Sequence, residues 1–274
     1  MDARTEMWSS PVSRRVLKVG CVSFLNSKPL IYGLEEEQSL RLVLDVPSGL
    51  LGGLREGRFE VALLPVIDYQ RMEGLRVVPA AGIGCNGPTL TVRIFSRVPI
   101  EEIRTLACDT DSHTSIALAR VILAEKLGIH PEFANLSADV GKRCDARLLI
   151  GDKVVCEEPK GFEHQLDLGE AWKQFTNLPF VFAVWMARAD CELGDLPQRL
   201  ERAKRLGLEH VDEIITRYAV PRGWPAEIAR QYLTSYLQYD IGPAQLRAIE
   251  LFHQLAAKYA MIDGPVKPLR VYSA

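Results

Sequence analysis

No apolar run in these 274 residues reaches the length a membrane span needs. The polar stretch Met1–Arg15 holds no signal-peptide core either, so the expectation is an unanchored cytoplasmic protein with a disordered leader over residues 1–15. Charge of one sign is also missing: the formal net charge is −2, which gives no basic footprint for nucleic acid. A small anion is still admissible, because local cations or aligned backbone dipoles can hold one. The six cysteines, Cys21, Cys85, Cys108, Cys144, Cys156 and Cys191, form no C-x-x-C pair and none sits beside a histidine at metal-ligand spacing. Their scatter reads as buried free thiols of a reducing compartment rather than as a disulfide framework. The chain also lacks a G-x-S-x-G elbow, an H-E-x-x-H helix and a G-x-x-x-x-G-K-[ST] phosphate loop. No metal or cofactor is expected.

What is present is an ordinary globular composition, 47% hydrophobic and 25% charged, over a length that suits two modest domains. Val16–Phe24, Leu40–Val46 and Val61–Val66 read as strands, with a helix opening after Pro29 and another after Ser48. Arg76–Ala80 and Thr89–Phe95 add two more strands, and the βαβαβ order predicts a largely parallel sheet. A second unit follows: strand Thr105–Cys108, helix Thr114–Leu127, and strands Ala146–Ile150 and Phe180–Met186. Four helices close the chain, near Pro197–Leu206, Glu209–Tyr218, Pro225–Leu237 and Pro243–Tyr259. The expected organisation is a discontinuous α/β first domain, residues 16–95 with 187–274, and a second α/β domain, 96–186. Hinges would then fall near Phe95 and Ala187, with the ligand between the domains at the carboxyl ends of the strands.

Three polar segments follow predicted strands. Ser23-Phe24-Leu25-Asn26-Ser27 opens a helix, whose free N–H groups and the Asn26 amide suit either a plain cap or a ligand. Gly82-Ile83-Gly84-Cys85-Asn86-Gly87-Pro88 allows close backbone approach, although turns use the same residues. Asp109-Thr110-Asp111-Ser112-His113-Thr114-Ser115 places three hydroxyls, Ser112, Thr114 and Ser115, at a helix start, a cradle for a carboxylate or phosphate, although Asp109 and Asp111 also suit plain helix-dipole capping. His113 is a candidate base because it titrates near neutrality. His130, His164, His210 and His253 read as core or surface residues, and Glu35-Glu36-Glu37 as a solvated helix end. Asp152, after Ile150-Gly151, reads as a ligand contact, a hinge brace or a turn aspartate.

Ser23-Phe24-Leu25-Asn26-Ser27-Lys28-Pro29-Leu30 resembles the amino-terminal signature of the chorismate dehydratases. In order and spacing, Gly87-Pro88, Phe95-Ser96, Asp109 with Ser112, Thr114 and Ser115, and Leu148–Asp152 are similar to that family. So are Asp167-Leu168-Gly169 with Trp172, Leu178–Ala183 with Trp185, and Tyr236–Asp240, so the resemblance covers about Val16 to Tyr259. It implies a fold similar to the class II periplasmic binding proteins, two domains with a ligand cleft and a helical C-terminal segment. It also implies a hydro-lyase that converts chorismate to 3-[(1-carboxyvinyl)oxy]benzoate and water in the futalosine route to menaquinone. Alternatives are an enzyme like 1,4-dihydroxy-6-naphthoate synthase, of the same fold, and a non-catalytic small-anion binding protein. The small-molecule substrate is the one expected partner, with no nucleic acid and no membrane, and the oligomeric state is left open between monomer and homodimer.

The resemblance implies Asn26 as the catalytic group that orients the hydroxyl or steadies the anion. Ser23, Ser27, Cys85, Asn86, Gly87, Ser112, Thr114, Ser115 and Asp152 would bind substrate, and the substrate's own enolpyruvyl carboxylate would serve as base. One departure is plain: the family usually carries a serine pair before the Gly-Pro, where this chain has Gly84-Cys85, and a thiol is the weaker donor. Thr89 and Arg93 also stand where apolar residues are more usual.

Overall fold

The computed structural model describes residues 16–273 except 110, 111, 157 and 158. The expected leader, Thr110 and Asp111 lie outside the described residues. The strands are β1 (Leu17–Cys21), β2 (Leu40–Leu44), β3 (Val61–Pro65), β4 (Leu75–Cys85), β5 (Val92–Ser96), β6 (Thr105–Cys108), β7 (Glu132–Asn135), β8 (Ala146–Ile150), β9 (His164–Asp167), β10 (Phe180–Arg188) and β11 (Leu237–Gln238). They form a six-stranded sheet in the order β11-β4-β10-β3-β1-β2 and a five-stranded sheet in the order β7-β6-β8-β5-β9. The architecture is α/β, two lobes each built on one sheet.

Both sheets are mixed, where the βαβαβ order predicted a largely parallel one. β1 pairs in parallel with β2 and β3, as βαβ units require. β10 then returns from the second lobe and inserts antiparallel between β3 and β4. Its apolar run, Phe180-Val181-Phe182-Ala183-Val184-Trp185-Met186, suits a strand covered on both faces. In the second sheet β6 is parallel to β7 and β8, while β5 is antiparallel to β8 and β9.

Sheet membership moves the expected crossovers. Strand Val92–Ser96 belongs to the second sheet and Phe180–Arg188 to the first. The chain therefore crosses at 86–91 and returns at 177–179, rather than near Phe95 and Ala187. Periodicity identified both strands, but a buried apolar strand carries no label for its sheet.

Gly82–Cys85, expected as a loop, is the end of β4. Gly82 pairs with Val184 and Gly84 with Val181. A Cβ on Gly82 would stand 2.7 Å from the Ala183 carbonyl oxygen, and one on Gly84 2.6 Å from that of Phe180. Those glycines let β10 approach.

The helix expected after Pro29 is a 3-10 segment over Leu25–Ile31, which already includes Asn26 and Pro29. The helix expected after Ser48 begins at Pro47. The second and third C-terminal helices run into π turns, Ile215–Ala219 and Tyr232–Tyr236. The last helix, Pro243–Lys258, packs on β10.

Helix Leu168–Thr176 fastens both crossings. Its N-cap, Asp167, accepts from the backbone N–H groups of Gly169 (3.0 Å) and Glu170 (3.1 Å) and from those of Thr89 (3.0 Å) and Leu90 (2.9 Å) on the outgoing crossing. Trp172 Nε1 donates to the Pro179 carbonyl on the return crossing at 3.0 Å. The Trp172 ring then meets Phe180 and Phe252 edge-on, with centroids 5.1 and 6.2 Å apart.

A cleft at the carboxyl ends of the strands

Between the sheets lies a cavity of about 210 Å³. Its walls come from the carboxyl ends of strands in both lobes: Leu63 and Pro65 on β3, Ile83 on β4, Ile150 on β8, and Asn26 in the segment after β1. Phe24, Val22, Phe182 and Leu237 make much of the surface apolar, and polar groups enter at a few points.

Four expected site residues meet there: Asn26, Ser112, Ser115 and Asp152. Asn26 stands in the first turn of the 3-10 segment, and its Oδ1 is buried with no hydrogen-bond partner. An unpaired buried carbonyl oxygen is costly, and a donor on a bound molecule would relieve it. Ser112 caps helix His113–Glu125, accepting from the Ser115 N–H at 3.2 Å, and its Oγ lies 2.9 Å from Ser115 Oγ. The positive end of that helix dipole therefore opens on the cleft with two hydroxyls. Asp152 is already engaged: its Oδ1 accepts from Trp224 Nε1 at 2.8 Å, a bond between the lobes.

The other expected residues do not line the cavity. Ser23 is exposed, and its carbonyl accepts from Arg222 at 3.0 Å. Ser27 is buried and lies 2.8 Å from the carbonyl oxygens of both Val22 and Phe24, bracing the turn that presents Asn26. Thr114 is buried, its Oγ1 accepting from the Ile67 N–H at 3.5 Å. Asn86 is exposed, and Gly87, at φ +136°, is buried beside Glu170. Cys85 is fully buried behind the wall, where burial, reinforced by the Asp167 charge, pushes its thiol up to about 12. The departure at the Gly-Cys pair is therefore a packing substitution: Cys85 Sγ sits against Gly169, whose Cβ would come within 2.6 Å of it. Arg93 lies 3.5 Å from Asp167 and bonds Gln165 at 3.1 Å. His113, the candidate base, lies outside the cleft, with Nδ1 2.6 Å from Arg71 and 3.6 Å from Asp68. Five cysteines are buried as expected, but Cys156 is exposed, and none of the six is in a disulfide.

Sequence reasoning passed over Lys153, Thr91, Trp224 and Tyr232, which all line the cavity. Lys153 is the one cation among the described lining residues, and its Nζ donates to buried Asp109 at 2.7 Å. Thr91 Oγ1 donates to the Tyr232 phenol oxygen at 2.9 Å, and Tyr232 stacks on Trp224 with centroids 5.1 Å apart. Burial pushes that phenol up to about 12, against the hydrogen bonds from Thr91 and Asn26. Lys153 could have been found, since it follows Asp152 directly. Tyr232 and Trp224 carry no local signal, because distant segments bring them to the site.

Residues 17–258 match a protein-family model described as menaquinone biosynthesis. A chorismate dehydratase of Thermus thermophilus is 27% identical over 267 residues, 90% of this chain and 98% of that protein. Another, of Campylobacter jejuni, is 24% identical over 85% of this chain and 94% of its own. Among solved structures, a protein of Archaeoglobus fulgidus superposes with a TM-score of 0.68 at 18% identity, covering 92% of this chain and all of that one. The periplasmic aliphatic sulphonate binding protein of Escherichia coli gives 0.67 at 15% identity, covering 94% of each chain. The fold is that of the periplasmic binding proteins. No helix among the described residues is long and apolar enough to cross a membrane.

Proposed function

This chain belongs to the menaquinone biosynthesis family, and from that premise we propose that it is a hydro-lyase converting chorismate to 3-[(1-carboxyvinyl)oxy]benzoate and water. The observation that carries the reading is how the cleft divides its chemistry. A mostly apolar slot for a ring is bounded by Ser112, Ser115 and Lys153 of one lobe and by Asn26 of the other.

Chorismate brings two carboxylates, a ring hydroxyl at C4 and a C3–H made acidic through the double bond conjugated to the ring carboxylate. Removal of that proton leaves a dienolate-like anion. Breaking the C4–O bond then gives the aromatic ring, which drives a redox-neutral elimination. The Ser112–Ser115 helix end and Lys153 hold carboxylate charge, Lys153 through a charge-assisted bond. Asn26 orients the hydroxyl, and the substrate's enolpyruvyl carboxylate accepts the C3 proton. The free thiols suit the cytoplasm, where we place the reaction. Lobe closure over the ring excludes water and completes the site.

Incubation of the purified protein with chorismate, followed by chromatography and mass, tests the reading. A product lighter by one water, with aromatic absorbance, supports it. Chorismate bound and recovered unchanged overturns it. Asn26→Ala lowers kcat by about 10²-fold with a smaller change in KM, since the lost contact matters most as charge develops. Equal turnover in that variant removes Asn26 from the mechanism.

A further inference from the structure

Behind Asn26 the cleft wall is closed by Tyr232, the first residue of the π turn Tyr232–Tyr236. Its phenol oxygen accepts from Thr91 Oγ1 at 2.9 Å, and Asn26 lines the same wall. With Thr91 as the donor in that bond, the phenol makes no hydrogen bond as a donor among the described residues. Asn26 Oδ1, buried in the same wall, has no donor. One unused donor and one unused acceptor thus line the same cavity. A hydroxyl group, which both gives and takes a hydrogen bond, is the substituent that satisfies both at once.

The ring is held in place for this task. Trp224 stacks on it at 5.1 Å and 28°, and Trp224 is itself fixed by its 2.8 Å bond to Asp152 of the other lobe. The side chain is 2% exposed, so the hydrogen bonds form away from water. A π turn at the start of the segment adds a local distortion of the kind found where helices serve a site.

We infer that Tyr232 donates a hydrogen bond to the leaving C4 hydroxyl of the substrate while Asn26 Oδ1 accepts from it. The inference rests on the dehydratase reading. As the C4–O bond breaks, its electron pair goes to the oxygen, and the Tyr232 hydrogen bond steadies the charge that develops there. The proton abstracted from C3 by the substrate's carboxylate ends on that oxygen, which leaves as water. Tyr232 keeps its own proton throughout, in keeping with a buried phenol that resists ionisation.

The experiment compares Tyr232→Phe with the wild type toward two compounds: chorismate, and its 4-deoxy analogue as an unreactive competitive inhibitor. For chorismate, kcat/KM falls by about 10²-fold in Tyr232→Phe, while the Ki of the 4-deoxy analogue stays within about two-fold. A parallel loss toward both compounds would assign Tyr232 to packing and overturn the inference, as would unchanged kcat/KM. Thr91→Val, near-isosteric, is the second variant should Tyr232→Phe fail to fold. By removing the hydroxyl that orients the phenol it lowers kcat/KM about five-fold and leaves the analogue's Ki unmoved; equal effects on both compounds, or none, overturn the inference. A wild type that does not dehydrate chorismate overturns the dehydratase reading and this inference with it, whereas failure of the variants alone leaves the dehydratase standing.

Discussion

At Lys153 a single ammonium does two jobs, satisfying buried Asp109 and offering charge to the cleft. Lys153→Met therefore raises KM for chorismate about ten-fold with a smaller change in kcat, the loss of one charge-assisted bond; an unchanged KM would take it out of the anion cradle. His253 acts on the fold rather than the site. Its Nδ1 faces Gln70 Nε2 at 2.9 Å, its Nε2 faces the Val66 carbonyl at 2.8 Å, and burial lowers its pKa from 6.5 to about 4. The unfolded chain thus binds the proton more tightly, so the stability held above pH 6.5 drains away as pH falls toward 4. Between pH 7 and pH 5 this group alone removes about 2 kcal/mol, read as a fall in the urea midpoint that His253→Gln reduces. At this scale the sequence exposed residues whose neighbours announce them: Asn26, Ser112 and Ser115 each sit in or just before the first turn of a helical segment that follows a strand. Tyr232 looked like any aromatic on a helix, because its meaning depends on Thr91 and Asn26, far away along the chain.

Among the elements, β4 shows how a glycine pattern misleads. Gly82 and Gly84 suggested a loop because turns are built from glycine, yet here they make room for the β10 backbone. Gly84→Ala forces a Cβ to within 2.6 Å of the Phe180 carbonyl oxygen. The variant loses about 2–3 kcal/mol in chemical denaturation; a wild-type midpoint would mean that β10 yields easily. Asp167 joins its helix cap to the outgoing crossing by way of four backbone N–H groups, those of Thr89, Leu90, Gly169 and Glu170. Leu90 holds φ at +66°, a left-handed conformation that costs a non-glycine residue free energy and persists only while such bonds impose it. Removal of the clamp in Asp167→Ala costs about 2–4 kcal/mol of stability. The family resemblance marked Asp167-Leu168-Gly169 as a motif, but only the bonds to Thr89 and Leu90 explain what it does.

For the whole molecule, α/β class, two lobes and a cleft at the strand ends were all legible, since hydrophobic runs and helix starts are local. Which sheet each strand joined was not, because the buried positions of β5 and β10 would suit either sheet equally well. The bond from Trp224 to Asp152 crosses the cleft and has the Tyr232 ring stacked behind it. Asp152→Ala thus frees the indole, and ligand-induced change in tryptophan fluorescence falls in that variant while Trp224→Phe removes most of it. An undiminished signal in Trp224→Phe would mean that closure is sensed elsewhere.

The strand order also sets a timetable for synthesis. Every strand of the second sheet lies between Val92 and Asp167, whereas the first sheet places β10, which ends at Arg188, in the middle between β3 and β4. A nascent chain can close the second sheet while β3 and β4 still await the strand that joins them. The half-built first sheet is then the aggregation-prone stage of folding, and the inserted lobe is the portion that first resists proteolysis as the chain leaves the ribosome.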